Sequence, residues 1–480
     1  MKKTAKLLTG WAMADITPEQ QVALMGQFHD RFSTGVRDPL TATVLALESV
    51  DESGVCIDQA VMISCDLVMI NAELTKAVKM AVAQVLPDLD SDKILLSATH
   101  THTGPYFFRT FELFGGDVFG WPDYNKDILP PEDYFAFLCN RICAAVTQAW
   151  QARTVSGVSQ QLGHAVIGHN RRVTYDDGTN RMYGNTDTIH YRGPEGPDDN
   201  GIEMMYFWNQ SHELTGLVIN VACPSQVVEG KEYISADYWG ETRQKIWAKY
   251  GKQVHVLGLC GAAGDLSPRD MARRGRGEAN MRDEAGLFEI ADKLLMTVEY
   301  KFDKAKENVN WQPVLRHSVR ILPLPYRKVS KTAYEKEKAR ADAIISKYRL
   351  NGKKFDKKVI TDSQDLVDLY EAKGAMARFS NHQAGPVYNM EAHFLRLGDA
   401  ALATNPFELY TVYGLMVKAR SVAMQTFIVQ LACDCGGYLA TNQAITGGHY
   451  STTIASGLVG PEGGQMLVDY TVQYLNELWD

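Results

Sequence analysis

Apolar residues recur along this chain in two rhythms that alternate with each other, and the alternation predicts a mixed α/β fold. Short apolar runs read as strands over Val44 to Leu47, Ala60 to Ser64, Ile94 to Ala98, Leu217 to Ala222, Gln253 to Leu259 and Ala400 to Thr404. Apolar positions three and four apart predict helices over Ala72 to Leu86, Glu132 to Gln151, Trp239 to Tyr250, Glu284 to Tyr300 and Gln465 to Leu478. Elements in this order suit mixed β-sheets flanked by helices. Residues 174 to 203, rich in Asp, Gly, Asn and Pro, read as a long loop with a possible hairpin. From Lys328 to about His382 the chain turns charged and helix-forming, which predicts a peripheral helical excursion with a solvated face.

Charge narrows the partners. The 480 residues carry 49 basic and 57 acidic side chains, a net charge of −8, so no basic footprint argues for nucleic acid. No apolar run approaches the roughly 20 residues of a membrane span. A small-molecule substrate is expected, and a homo-oligomer stays open. Eight cysteines are too sparse for a disulfide scaffold and read as reduced, buried thiols, as at Cys56, Cys65 and Cys260. Ala12-Met13-Ala14 imitates an export cleavage site, but Lys6 and Thr9 interrupt the apolar stretch before it. The expectation is a cytoplasmic protein, or a periplasmic or secreted one if an export signal has been trimmed.

Candidate chemistry begins at Thr99-His100-Thr101-His102-Thr103-Gly104-Pro105, straight after a predicted strand. Alternate residues of an extended segment point the same way, so both imidazoles are expected to face one cavity. One can ligate a metal while the other carries a proton; alternatively, both are hydrogen-bonded core residues. A second segment, Cys260-Gly261-Ala262-Ala263-Gly264-Asp265-Leu266-Ser267-Pro268, allows close approach of a ligand to the backbone. Ser267 is either a hydroxyl beside a cleft or part of a Ser-Pro turn. Glu408 reads as the start of a helix, where a carboxylate either carries chemistry or complements the dipole without any catalytic duty. Arg171 can clamp a carbonyl or carboxylate, or be solvated. Cys433-x-Cys435 has no second pair at zinc-ribbon spacing, and HExxH, GxSxG and a P-loop are absent.

In order and content these segments resemble the neutral (non-lysosomal) ceramidase family. The resemblance runs through Ala14-Asp15-Ile16-Thr17, the HTHTGP segment, Asn170-Arg171, Ile234-Ser235-Ala236-Asp237, Gly264-Asp265-Leu266-Ser267-Pro268, Pro406-Phe407-Glu408 and Tyr438-Leu439-Ala440-Thr441. It implies one catalytic domain over residues 1–480, with 328–382 as an excursion within it. It also implies one zinc ion per chain and hydrolysis of an N-acyl amide. By motif, His100, Glu408 and Tyr438 fall on zinc ligands, His102 on the neighbouring histidine, Arg171 on the substrate arginine and Ser267 on the catalytic serine. At the family's second zinc histidine this chain has Cys223, also a competent zinc ligand as thiolate.

The expectation is therefore a zinc-dependent hydrolase, with zinc on His100, Cys223, Glu408 and Tyr438 and with His102, Arg171 and Ser267 assisting. The family's additional C-terminal domain is expected to be missing, and the substrate to be a small, soluble N-acyl compound rather than ceramide. The alternatives are a metal-assisted glycoside hydrolase or lyase on a sugar-derived substrate, and a non-catalytic binding protein with a decayed metal site.

Overall fold

A computed structural model describes residues 5–109, 127–348, 360 and 362–480. Two sheets stack face to face. The larger has eight strands in the order His255–Cys260, Leu214–Val221, Gly201–Asn209, Thr154–His164, Lys6–Asp15, Thr41–Val50, Cys56–Cys65, Ile94–Ala98. Its middle is antiparallel and the outermost pair at each edge is parallel. The smaller has four strands, Leu315–Pro325, Val387–Leu397, Ala400–Thr404 and Gln425–Val429, with only the last pair parallel.

One buried apolar cluster fills the space between the sheets, joining Leu45, Met62, Leu95, Phe207 and Leu257 of the first to Leu395, Leu402 and Phe427 of the second. Helices cover the outer faces. Pro131–Gln151 packs its Tyr134, Leu138, Ile142 and Val146 with Ala72–Val85 on one half of the large sheet. Tyr238–Tyr250 and Glu284–Glu307 cover the other half, and Thr411–Arg420 and Pro461–Asn476 cover the small sheet. Local chemistry starts these helices where it should: Asn71 accepts the Leu74 amide, Asp283 that of Gly286, and Pro131 and Pro461 occupy first turns. No helix among the described residues is long and apolar enough to cross a membrane.

Lys6–Asp15, which contains Ala12-Met13-Ala14, is an interior strand paired along its whole length with Thr41–Val50. Two expectations need correction. The long loop carries a small three-stranded sheet, Arg172–Tyr175, Asn180–Met182 and Tyr191–Pro194, and its end at Gly201 already belongs to the large sheet. Cys56 is exposed, although all eight cysteines are free.

The charged excursion forms two packed helices, Lys331–Tyr348 and Ser363–Ala384, with its positions 349–359 and 361 outside the described residues. Ala341, Ile344, Leu369 and Ala372 give the pair its own apolar seam. Its second helix is not merely solvated, because Arg378 is buried there and Tyr370 reaches the cavity described below.

Candidate active site

The candidate residues follow the carboxyl ends of strands in parallel pairs, where chain direction delivers successive loops to one edge, as in other sheets with parallel crossovers. Val68 follows Cys56–Cys65, His100 and His102 follow Ile94–Ala98, Gln226 follows Leu214–Val221, and Ser267 follows His255–Cys260. Glu408 and Tyr438 follow the two parallel strands of the small sheet.

The two histidines converge, but not by strand pleating. His100 has φ +69°, a left-handed conformation unusual for a residue with a side chain. The turn sets the rings edge to face, with centroids 4.8 Å apart and the Nε2 atoms 3.3 Å apart. Nδ1 of His100 lies 2.6 Å from the Val68 carbonyl, which can only accept, so the proton sits on Nδ1. Nε2 is left facing the Glu408 carboxylate at 3.5 Å. Gly26, φ +108°, lies under the neighbouring ring, and a Cβ there would meet His102 Cγ at 2.6 Å.

Glu408 does not start a helix. It lies in a short strand, Phe407–Leu409, paired in parallel with Gly437–Leu439, and the register sets Glu408 directly beside Tyr438. The loop from Gly264 packs so closely on this strand that a Cβ at Gly264 would meet the Glu408 carbonyl oxygen at 2.3 Å, which accounts for glycine there. Burial by itself pushes the Glu408 carboxyl up; its neighbours His100, Arg171 and Tyr438 outweigh it and hold the group below its ordinary value. Burial and the Glu408 charge push the Tyr438 phenol well up.

Arg171 is buried and serves as the hub. It donates to the Gly264 carbonyl at 2.9 Å, Tyr183 Oη at 3.1 Å, Gln226 Oε1 at 3.2 Å and Tyr438 Oη at 3.3 Å, and its charge lies 3.9 Å from Glu408. Despite burial, these partners hold its pKa well above the ordinary arginine value. His102 accepts from the Gln226 amide at 2.8 Å. Burial, then the neighbouring His100, Arg31 and Arg171, push its pKa well below the usual histidine value.

The cavity into which His100, His102, Glu408 and Tyr438 open is about 170 Å³. Its other walls include the aromatic and thioether groups of Met25, Phe28, Tyr106, Phe108, Tyr370 and Tyr450, together with the polar Gln27, Asp30, Arg31 and Arg109. Two expected participants stand apart from it. Ser267 Oγ accepts from Tyr183 Oη at 3.2 Å and from the Arg269 amide at 3.2 Å; among the described residues no histidine or carboxylate hydrogen-bonds to it, although His169 is its partner in the strand pair. Cys223 lies farther from it. Its thiol points into the apolar cluster beneath Tyr238–Tyr250, 3.5 Å from the Pro224 carbonyl, and burial pushes it well above the ordinary thiol value. Gln226, three residues on, is what that loop delivers to the histidines.

Known proteins share this fold. The crystal structure of neutral ceramidase from Pseudomonas aeruginosa superposes with a TM-score of 0.68 over 98% of this chain and 75% of that one, at 18% identity. The chain has the neutral ceramidase fold. A ceramidase complexed with C2 superposes with a TM-score of 0.69 over 99% of this chain and 75% of the other, at 16% identity. In sequence, neutral ceramidase B of Dictyostelium discoideum is 31% identical over 147 residues, which is 29% of this chain and 18% of the relative's length. No protein-family model matches. This fold thus carries the cavity that His100, His102, Glu408 and Tyr438 line.

Sequence reasoning missed Gln226, Tyr183, Tyr370 and Tyr450. The first lies three residues past the expected ligand, and the rest are tyrosines in unremarked loops or helices, where composition carries no signal of what they face.

Proposed function

We propose that this chain is a zinc-dependent amidohydrolase that cleaves an N-acyl amide whose apolar part packs against the aromatic cavity walls. The observation that carries the reading is the convergence of His100 Nε2, Glu408 and the Tyr438 hydroxyl on one end of that cavity, beside Arg171. The donor set fits a catalytic zinc. Ligand atoms about 2.0–2.1 Å from a tetrahedral ion lie roughly 3.3 Å from one another, close to the 3.5 Å between His100 Nε2 and Glu408 Oε2. The Val68 carbonyl fixes the tautomer that leaves Nε2 free to ligate. Three protein ligands with an open position are usual for catalytic zinc.

When bound, zinc supplies a polarised substrate carbonyl and a water of lowered pKa. The protein groups do the rest. Arg171, held by the Gly264 carbonyl behind Tyr438 and Glu408 before substrate arrives, supplies the fixed positive charge nearest the end of the cavity where negative charge develops on the amide oxygen. His102, neutral through the ordinary histidine range, takes the proton of the attacking water at Nε2 and passes it to the leaving amine. Gln226 occupies that nitrogen until substrate enters. Ser267, whose hydroxyl is hydrogen-bonded to Tyr183, acts through Tyr183 to position Arg171 rather than as nucleophile.

The test is a panel of N-acyl amines with short and long acyl groups, assayed with the wild type and His100→Ala alongside elemental analysis. Wild type should contain one zinc at this site and turn over amides; the variant should lose most of both. Equal zinc in both proteins, or turnover unaffected in the variant, overturns the reading.

A further inference from the structure

A second group of ligand-type side chains lies away from the cavity, in the seam between the sheets. Glu391 and His393 stand two apart on Val387–Leu397, and Cys433 meets them from the loop after Gln425–Val429. His393 Nε2 is 2.9 Å from Glu391 Oε1 and 3.6 Å from Cys433 Sγ. Around a tetrahedral zinc, with bonds of about 2.0–2.1 Å to nitrogen and oxygen and 2.3 Å to sulfur, nitrogen and sulfur ligands are roughly 3.5 Å apart and nitrogen and oxygen roughly 3.3 Å. Cys433 takes φ +64° to bring its sulfur there, a left-handed conformation that costs backbone energy.

A hydrogen-bond count points the same way. The chain runs from the Gln59 carbonyl to His317 Nδ1 at 3.0 Å, from His317 Nε2 to His393 Nδ1 at 2.9 Å, and from His393 Nε2 to Glu391. A carbonyl and a carboxylate at its ends both only accept, so three bonds need three protons, and two neutral imidazoles bring two. The third place, between His393 Nε2 and Glu391, is filled by one more proton or by a metal ion that both groups ligate. A ligand histidine whose far nitrogen is held by another group is also the arrangement that orients metal-binding imidazoles.

We propose that Glu391, His393 and Cys433 bind a second divalent transition-metal ion, separate from the catalytic centre, that clamps the Cys433 loop to the small sheet. On binding, the Cys433 thiol proton passes to solvent as the sulfur–metal bond forms, and water completes the coordination. Glu391, 28% exposed at its side chain, opens the way in. Lys79 Nζ lies 2.8 Å from the same Glu391 oxygen and is the cation that competes with the metal.

Cobalt(II) added to the purified full chain reads the site directly, because thiolate ligation gives an intense near-ultraviolet charge-transfer band. Wild type should show that band, and His100→Ala should keep it. Cys433→Ser should lose the band and one equivalent of cobalt, and Lys79→Gln should bind cobalt at least tenfold more tightly. Should Cys433→Ser fail to fold, as judged by circular dichroism, Glu391→Gln replaces it and should weaken the band's titration at least tenfold. No band in wild type, a band that survives Cys433→Ser or disappears in His100→Ala, or a Lys79→Gln protein with no gain in cobalt affinity overturns the proposal.

Discussion

The Arg171 guanidinium lies 3.2 Å from the Gln226 carboxamide oxygen, and because a guanidinium only donates, it turns the amide nitrogen toward His102 Nε2, 2.8 Å away. One side chain thus sets both the orientation of Gln226 and the tautomer of His102. Replacing Gln226 with Leu removes both contacts while leaving His100, Glu408 and Tyr438 in place. Turnover should fall by about 10²-fold, the scale of losing a positioned proton-transfer group, and zinc content should not change. Steady-state assays paired with elemental analysis check this; a loss of zinc in Gln226→Leu makes it a ligand instead.

Cys223→Ala should leave the metal in place, because the thiol faces the apolar cluster with Val221, Tyr238 and Ile246 rather than the histidines. The cost should appear in stability, about 1 kcal/mol for a small buried group and the cavity it leaves. Denaturant midpoints and zinc content in the same preparation separate the two outcomes, and a fall in zinc without unfolding returns Cys223 to the ligand set.

Tyr370 lines the cavity from the charged helical pair, edge to face with Phe28 at 5.5 Å. Tyr370→Leu should therefore enlarge the space for the acyl group. At about 0.8 kcal/mol per buried methylene, room for two more shifts the kcat/KM ratio of longer to shorter acyl substrates by roughly 15-fold. A ratio that stays constant across a chain-length series shows that the acyl group leaves the cavity elsewhere.

His255 stacks on Trp11 at 5.6 Å, and burial lowers its pKa despite backbone hydrogen bonds at Thr215 and Gln253. The folded state thus binds its proton less readily than the unfolded chain does. Its contribution is absent well above the ordinary histidine value of about 6.5 and becomes destabilising as pH falls below it, by up to about 1.4 kcal/mol per pH unit. Urea midpoints measured from pH 7.5 to 5 should decline less steeply in His255→Gln than in wild type; identical slopes remove His255 from the acid response.

Much of the local structure is written in the sequence. Ile94–Ala98 and Ala400–Thr404 coincide with their predicted strands, and Ala72–Val85 and Pro131–Gln151 differ from theirs by one residue at one end. Apolar periodicity and caps act over a few residues, so a reading of neighbours finds them. Thr154–His164 escapes that reading because its burial does not follow polarity, Ser156 and Ser159 being buried and Leu162 exposed, and only pairing with Gly201–Asn209 makes it a strand. The site divides in the same way. His100, His102, Arg171, Glu408 and Tyr438 are recognisable from their motifs, and the fold brings all five together. Which way the loop after Val221 turns is not a local property. The Tyr238 hydroxyl holds the Cys223 carbonyl at 2.8 Å and Ser225 Oγ holds that of Thr99 at 2.7 Å, contacts across 15 and 126 residues of chain. Those distant hydrogen bonds send the thiol into the core and the Gln226 amide to His102, a choice made only when the separate segments pack.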